Sequence, residues 1–476
     1  MKIMRFVSLA VVFLSTSQTL IAQETRSIGE RTFVREGTSW TQFDPDGRDF
    51  DVNPSVISIK FNDNVSIADK KNLHPTIGGT ELRRAITGWI DVQIPAGLDV
   101  FDAIDAYMAS GLIDKAEPNT FGVYHITPDD PSYGSQWHLP QINAEETWDT
   151  VTGDPAVIVA VLDSGTEYFH PDLGMGADNY QNIWINDGED AWTDPNDPST
   201  GNGIDDDGNG WIDDWKGFDF GNDDNDPSSP TSHGSLVAGV LAAKSNNSTG
   251  VAGVSGGWNA AGTRVMIGGV GEALPDGSVL DDAILYAIEM GAHVIQLSLT
   301  VAMSSNLDDA IQMAVDNNLV VVCSSGNGFA STVGYPSSNP NVMSIGATNE
   351  SELREGFSNQ GPRLEISAPG TNILTTTIGG GYSAVGGTSF SSPIISGVIA
   401  LMLAVNPGLD NDVIRQILWD TADKIGPYDY NHDPKRPGHS LELGYGRVNA
   451  RAAIAAAQAM LPLDYKSGFE SPAPAE

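Results

Sequence analysis

From about residue 137 onward, short runs that are apolar at nearly every position alternate with amphipathic stretches. Ala156–Leu162, Arg264–Val270, His293–Leu299 and Leu319–Cys323 are rich in β-branched residues, and segments such as Val279–Met290 between them carry apolar residues at helical spacing. A strand apolar on both faces has to be covered on both, so the pattern predicts a parallel sheet between helical layers, an α/β fold. In such sheets, reaction sites gather at the carboxyl ends of the strands. Upstream the pattern changes. Val56–Phe61 and Trp89–Pro95 read as strands, Asp99–Ser110 as a helix with Val100, Ile104 and Met108 on one face, and a closing strand is expected near Phe121–His125. These make a small α+β module over about 54–125. Thr127–Ser135, rich in Pro, Asp, Ser and Gly, reads as an exposed linker open to proteolysis.

The first residues combine Lys2 and Arg5 with an apolar run from Phe6 to Leu14 and small or polar residues up to Ala22. That is the layout of a secretory signal peptide over 1–22, too short in its apolar part to span a bilayer. Ile394–Val405, interrupted by Ser396 and Gly397, reads as a buried core helix. The mature chain is therefore expected outside the cytoplasm, secreted or periplasmic, without stable membrane association.

Charge sharpens this picture. The 476 residues hold 62 Asp plus Glu against 24 Lys plus Arg, a formal net charge of −38. Nucleic-acid binding needs a basic surface, so nucleic acid is excluded as a partner. The single cysteine, Cys323, excludes a disulfide framework and any multi-cysteine zinc cluster; at the end of an apolar strand it reads as a small buried hydrophobe.

Three segments carry candidate chemistry. Asp163 ends the strand Ala156–Leu162 and is followed by the turn Ser164-Gly165; a helix-capping or turn-forming role is its alternative. His233 opens the apolar helix SHGSLVAGVLAA (Ser232–Ala243), where a structural histidine is the alternative. Ser389 lies in GGTSFSSPIISGVIALML (Gly386–Leu403), where glycines lead into a long apolar helix with Pro393 expected in its first turn. Free amides and the positive end of the helix dipole favour a developing oxyanion there, although a plain N-cap serine uses the same geometry.

Taken together, VAVLDSG, HGSLVAG and GTSFSSP, in the order Asp163, His233, Ser389, resemble the subtilisin-like serine peptidases. Gly250–Val254, Val294–Leu299, Ser324–Asn327, Ser367–Gly370 and Gly444–Ala450 extend the resemblance over about residues 129–460. It implies a three-layer fold with a mostly parallel central sheet over 129–462, and a flexible tail over 463–476. Residues 23–128 would be an inhibitor-like propeptide that occupies the cleft until it is cut between Phe121 and Tyr133. It further implies a secreted endopeptidase, expected as a monomer, acting on protein or peptide substrates without a catalytic metal. Ser389 would be the nucleophile, His233 the general base, Asp163 its orienting carboxylate and Asn327 the oxyanion donor, while Ser298, Leu299 and Thr300 would line the substrate site. Ser235 and Leu236 stand where the family commonly has threonine and a second histidine, Phe390 replaces a methionine, and Thr300 replaces a glycine, which bears on specificity more than on catalysis.

Between the aspartate and the histidine, Asp172–Asp226 holds 16 acidic residues and one basic residue, Lys216. Within it Asp205, Asp207, Asn209, Gly210 and Ile212 match positions one, three, five, six and eight of a calcium loop. Position twelve is Lys216, so Asp213 or Asp214 would have to replace the usual glutamate. A structural calcium is expected, with a solvated acidic loop as the alternative. For the whole chain, a catalytically silent peptide- or calcium-binding relative remains the alternative. A lipase or esterase lacks support because Gly253–Gly257, although GxSxG in form, has no strand before it and no helix after. A glutamate-based acid peptidase is disfavoured by the HGSLVAG segment.

Overall fold

The computed structural model describes residues 24–43, 49–121, 126–174 and 180–461; the expected signal peptide and tail lie outside them. The chain divides into two compact units, residues 1–124 and 125–476.

The first unit is a seven-stranded antiparallel sheet with two helices. In chain order it runs β1 (Thr25–Ile28), β2 (Arg31–Glu36), β3 (Ser39–Phe43), β4 (Asp49–Phe61), α1 (Ile67–Ile77), β5 (Thr80–Arg84), β6 (Trp89–Gln93), α2 (Val100–Ala109) and β7 (Ile113–Thr120). The sheet order is β1-β2-β3-β4-β6-β5, with β7 also on β4. Phe33, Ile57, Ile59, Val92, Phe101 and Tyr107 form its core. Three details differ from the sequence reading. The meander β1–β3 precedes the module expected from residue 54. The closing strand ends at Thr120, ahead of Phe121–His125, of which 122–125 lie outside the described residues. The buried face of α2 runs through Val100, Phe101, Ile104 and Tyr107, whereas Met108 is exposed; Tyr107 fills the space against α1, where its hydroxyl meets His74 Nδ1 at 3.0 Å.

The second unit opens with two short helices, α3 (His138–Gln141) and α4 (Ala144–Trp148), and continues with β8 (Ile158–Asp163), β9 (Gly217–Asp219), α5 (His233–Ala242), β10 (Arg264–Gly269), α6 (Leu280–Glu289), β11 (Val294–Leu297), α7 (Ser305–Asp316), β12 (Val320–Ser324), β13 (Val342–Thr348), β14 (Ile366–Pro369), the hairpin β15 (Ile373–Thr377) and β16 (Gly381–Val385), α8 (Thr388–Val405), α9 (Asn411–Thr421) and α10 (Ala450–Ala459). Seven strands pair in parallel in the order β14-β13-β12-β11-β8-β10-β9. This is the α/β fold that the apolar runs predict. Strand side chains alternate between two cores: Val159 and Val161 of β8 face the layer holding α5 and α8, and Ala160 and Leu162 face the layer holding α6 and α7. Neighbours β10 and β11 leave β8 on opposite sides, so the chain order reverses there and a crevice opens at its carboxyl end.

Helix α8 is buried along its length, with only Ala404 partly accessible. It is long and apolar enough to cross a bilayer, and 94% of it is enclosed within this unit. The segment Thr127–Ser135 is not the free linker its composition suggests. The buried Asp130 carboxylate accepts from the Asn246 and Asn247 amides, and Ser132 N donates to Gly250 O. Its prolines and glycines make turns, while the aspartates anchor those turns to the loop after α5.

Replacing the fully buried Ile399 of α8 with alanine is expected to cost roughly 2–5 kcal/mol, seen as a lower denaturant midpoint with an unchanged slope. A shift below about 0.5 kcal/mol would show that α8 is not the packing centre of this unit.

Candidate active site

The local geometry of α8 starts with Pro393. The helix begins at Thr388, a turn earlier than the sequence suggests, so Ser389 is its second residue and Pro393 lies inside it. Proline has no N–H to give to the carbonyl four residues earlier, and that carbonyl belongs to Ser389. The Ser298 hydroxyl, just past β11, takes its place and donates to Ser389 O at 2.7 Å. Beneath this contact lies a closed polar network. Gln296 Nε2 donates to Ser298 Oγ at 2.9 Å and to Ser392 Oγ at 2.8 Å, and Ser396 Oγ donates to Gln296 Oε1 at 2.6 Å. All four side chains are buried, so each satisfied bond holds the helix start to the strand end. Sequence reading missed Gln296; a glutamine in the run VIQLSL, where all neighbours on the strand are apolar, was the available signal.

Gly387 precedes the helix with φ 152°, and a β-carbon on it would stand 3.3 Å from Asn327 Nδ2. Asn327 Oδ1 accepts from both Thr388 N and Thr388 Oγ1 at 2.9 Å. That fixes the amide plane and leaves Nδ2 on the exposed side, beside the start of α8. Asn359, also missed from sequence, holds the loop that presents Asn327: its side chain donates to Ser325 O and accepts from Gly328 N and Ala330 N. Only a generic Asn-Gln-Gly turn signal marked it.

Asp163 ends β8 with a side chain 5% exposed, and its Oδ1 accepts from His233 Nδ1 at 2.7 Å and from Ser164 N at 2.7 Å. Burial lowers the His233 pKa, but the charge and hydrogen bond of Asp163 outweigh it, leaving the imidazole above its ordinary value of 6.5. His233 is the first residue of α5, and Gly234 follows because a β-carbon there would come within 2.1 Å of Gly165 O. Ser235 keeps the hydroxyl expected of it and accepts from Glu167 N at 2.8 Å, while Leu236 joins the core. The imidazole ring lies 5.8 Å from the ring of Phe390, the residue after Ser389. Ser389 Oγ itself donates to Ser298 O at 3.3 Å. Asp163, His233 and Ser298–Thr300 line one cleft of about 520 Å³. Thr300 is exposed and stands with its Oγ1 2.9 Å from where a β-carbon of Gly334 would lie. A serine at a helix start, an imidazole oriented by a buried carboxylate and a nearby amide donor can together carry out nucleophilic acyl transfer.

In the acidic insert two of the expected ligands come together with a third carboxylate. Asp207 and Asp214 meet Glu189, with one oxygen of each within 4.8 Å of the others. Glu189 Oε1 accepts from the Asp206 and Asp207 amides, while its buried Oε2 has no partner. Burial raises the carboxyl pKa of both Glu189 and Asp214, which is the cost a cation would relieve. The cluster can hold a metal. Asp207 and Asp214 also accept from Asn186, and the other candidates hydrogen-bond within the insert. Asp205 accepts from the amides of Gly208, Asn209 and Gly210, Asp213 accepts from Asn202 and Gly203, and Asn209 points its amide nitrogen at Asp207 and Asp214 while its oxygen accepts from Trp211 N. Lys216 turns away, its ammonium 4.7 Å from the Tyr168 ring centre and 5.0 Å from that of Trp215, donating to Pro195 O at 2.7 Å. Glu189 was overlooked because it lies 16 residues before the loop, where spacing rules do not reach.

Known proteins bear on the same residues. Over 346 residues the chain is 34% identical to a halolysin-like extracellular serine protease of Natrialba magadii, covering 72% of this chain and 55% of that protein. The match thus spans little more than half of that relative's length. It is 33% identical over 347 residues to a thermophilic serine proteinase of Bacillus sp. strain AK1, covering 72% and 73%, and 30% identical over 334 residues to thermitase of Thermoactinomyces vulgaris, covering 69% and 99%. Residues 154–446, more than half of the chain, match the subtilase family, and this span holds β8, α5 and the start of α8; the chain belongs to the subtilase family.

Proposed function

We propose that the chain is a secreted serine endopeptidase made as a self-processing precursor. The observation that carries this reading is the paired anchoring of its reactive groups: His233 on the buried Asp163, and Ser389 through its own carbonyl on Ser298. Ser389 Oγ attacks the substrate carbonyl carbon, and its proton passes to His233 Nε2. The carbonyl π electrons move to oxygen, where Asn327 Nδ2 and the Ser389 amide stabilise the charge. His233 then gives its proton to the departing amine as the C–N bond breaks, and water releases the acyl group by the same path. Ser389 Oγ donates to Ser298 O, and the catalytic hydrogen bond to His233 forms on substrate binding, as such bonds tighten in the complex. Ser298, Leu299 and Thr300 would pair with the acyl side of an extended peptide. Residues 23–128 would serve as propeptide and intramolecular inhibitor, cut between Phe121 and Tyr133. The monomeric state and the export signal over 1–22 belong to the same reading, and the word extracellular in the name of the Natrialba relative supports export. Calcium held by Glu189, Asp207 and Asp214 would supply stability and no step of the chemistry.

Three outcomes are expected. A fluorophosphonate should label Ser389 in the wild type, and Ser389→Ala should lose labelling, self-processing and about 10⁶-fold in kcat, the magnitude found for removal of the nucleophile in this enzyme class; a variant that still matures unaided would remove Ser389 from that role. Because the base must be neutral and its folded pKa is raised, kcat/KM should climb with pH along a limb centred above 6.5, and Asp163→Asn should lower kcat by about 10⁴-fold. A limb below 6.5 would contradict the pairing. Calcium at a hundred times its Kd should add about 2.7 kcal/mol of stability. That gain should vanish with a chelator, shrink in Glu189→Gln, and fade as pH falls, because protons compete for carboxyls whose pKa is already raised. An unchanged melting curve with and without calcium would leave the cluster a solvated loop.

A further inference from the structure

The cleft beside His233 has a second wall that no catalytic role uses. It is formed by residues 271–275, facing Ser298–Thr300. Its chemistry is two-part. Leu274 is 81% exposed, and with Pro275 it offers an apolar strip along the cleft, with the largely buried Leu299 also lining it. Glu272 stands at the end of this strip. Its backbone carbonyl is tied down by the Thr231 hydroxyl at 2.8 Å, and its carboxylate accepts from Asn222 Nδ2 at 3.4 Å. Asn222 also donates to Asp219, so negative charge continues behind Glu272 into the acidic insert. Among the described residues no lysine or arginine lines the cleft.

An apolar strip ending in an uncompensated carboxylate fits a side chain with a methylene stem and a cationic head. A leucine or phenylalanine would use the strip and leave the charge unanswered, and an acidic side chain would meet repulsion. We propose that this wall is a subsite for a lysine or arginine of the substrate, upstream of the scissile bond, with Glu272 as the specificity-determining residue. The proposal rests on the endopeptidase reading, because Ser298–Thr300 defines the upstream side only if that strand pairs with the acyl portion. The field of a chain carrying −38 would add a salt-dependent attraction for basic peptides at longer range.

The test is a fluorogenic peptide set with Lys, Arg, Leu, Ala or Glu at each of the four positions before the cleaved bond, assayed with the mature wild type, Glu272→Gln and, as a control for net charge, Asp282→Asn on the exposed face of α6. At one position Lys and Arg should exceed Ala by about tenfold in kcat/KM, with Glu below Ala, and the ratio should shrink with added salt. Glu272→Gln should bring the Lys-to-Ala ratio close to one, and Asp282→Asn should leave it as in the wild type. A preference for Leu, a flat profile, or a Lys preference that survives Glu272→Gln overturns the proposal. Failure to cut any peptide by a folded wild type overturns instead the endopeptidase reading beneath it.

Discussion

The contact between the Ser298 hydroxyl and the Ser389 carbonyl sets the terms for the rest of the site. A proline six residues into a buried helix would ordinarily leave an orphan carbonyl in a dry interior, which is costly. Here that carbonyl belongs to Ser389, the proposed nucleophile, and its substitute partner comes from just past the end of the central strand β11. The helix start is thereby indexed to the sheet. Gln296, Ser392 and Ser396 close the network below it, so that Ser389 is positioned by buried, mutually satisfied groups rather than by a surface loop. On the neighbouring strand, β8, Asp163 does the same for His233. The two anchors lie side by side because β8 and β11 pair in parallel and end at the same level, which is a property of the fold and not of either motif.

The acid follows a separate logic. A net charge of −38 spread evenly would only keep the protein apart from polyanions. The part of it concentrated between residues 172 and 226, 16 acidic residues against one lysine, builds an insert in which carboxylates such as Asp205 and Asp213 accept backbone amides. Glu189, Asp207 and Asp214 converge; the two aspartates also accept from Asn186 and Asn209, and Glu189 keeps a buried oxygen without a partner. Lys216 neutralises none of them; burial lowers its pKa to about 8, and it is held among aromatic rings instead. Of the aspartates of the calcium-loop pattern, Asp205 and Asp213 fold the loop, while Asp207 both accepts the Asn209 amide and, with Asp214, could hold an ion.

The parallel sheet and the strand ends carrying Asp163 and Ser298 were legible because both-faces-buried strands leave continuous apolar runs. The helix carrying Ser389 was legible as well, but its start was misplaced by a turn, since Pro393 normally marks a first turn and only the hydroxyl from β11 lets it sit deeper. The meander β1–β3 escaped notice because strands of four to six mixed residues around glycine turns have no clear period. Met108 was expected inside on helical spacing alone, and the space against His74 of α1 took Tyr107 instead. Gln296, Asn359 and Glu189 could not be ranked from sequence, since each acts through at least one partner beyond the reach of local spacing rules. The wall bearing Glu272 and Leu274 was invisible for a related reason: a glycine-flanked loop segment shows no pattern, and its meaning comes from what it faces.

The claim on which the rest depends is that Ser389, aimed by Ser298 and served by His233, is the atom that becomes acylated. Rapid-quench mass spectrometry during turnover of a peptide ester measures this directly. A burst of one acyl group per molecule on the peptide containing Ser389, absent in His233→Ala, is the result expected. Turnover without that adduct, or an adduct on any other residue, would contradict it.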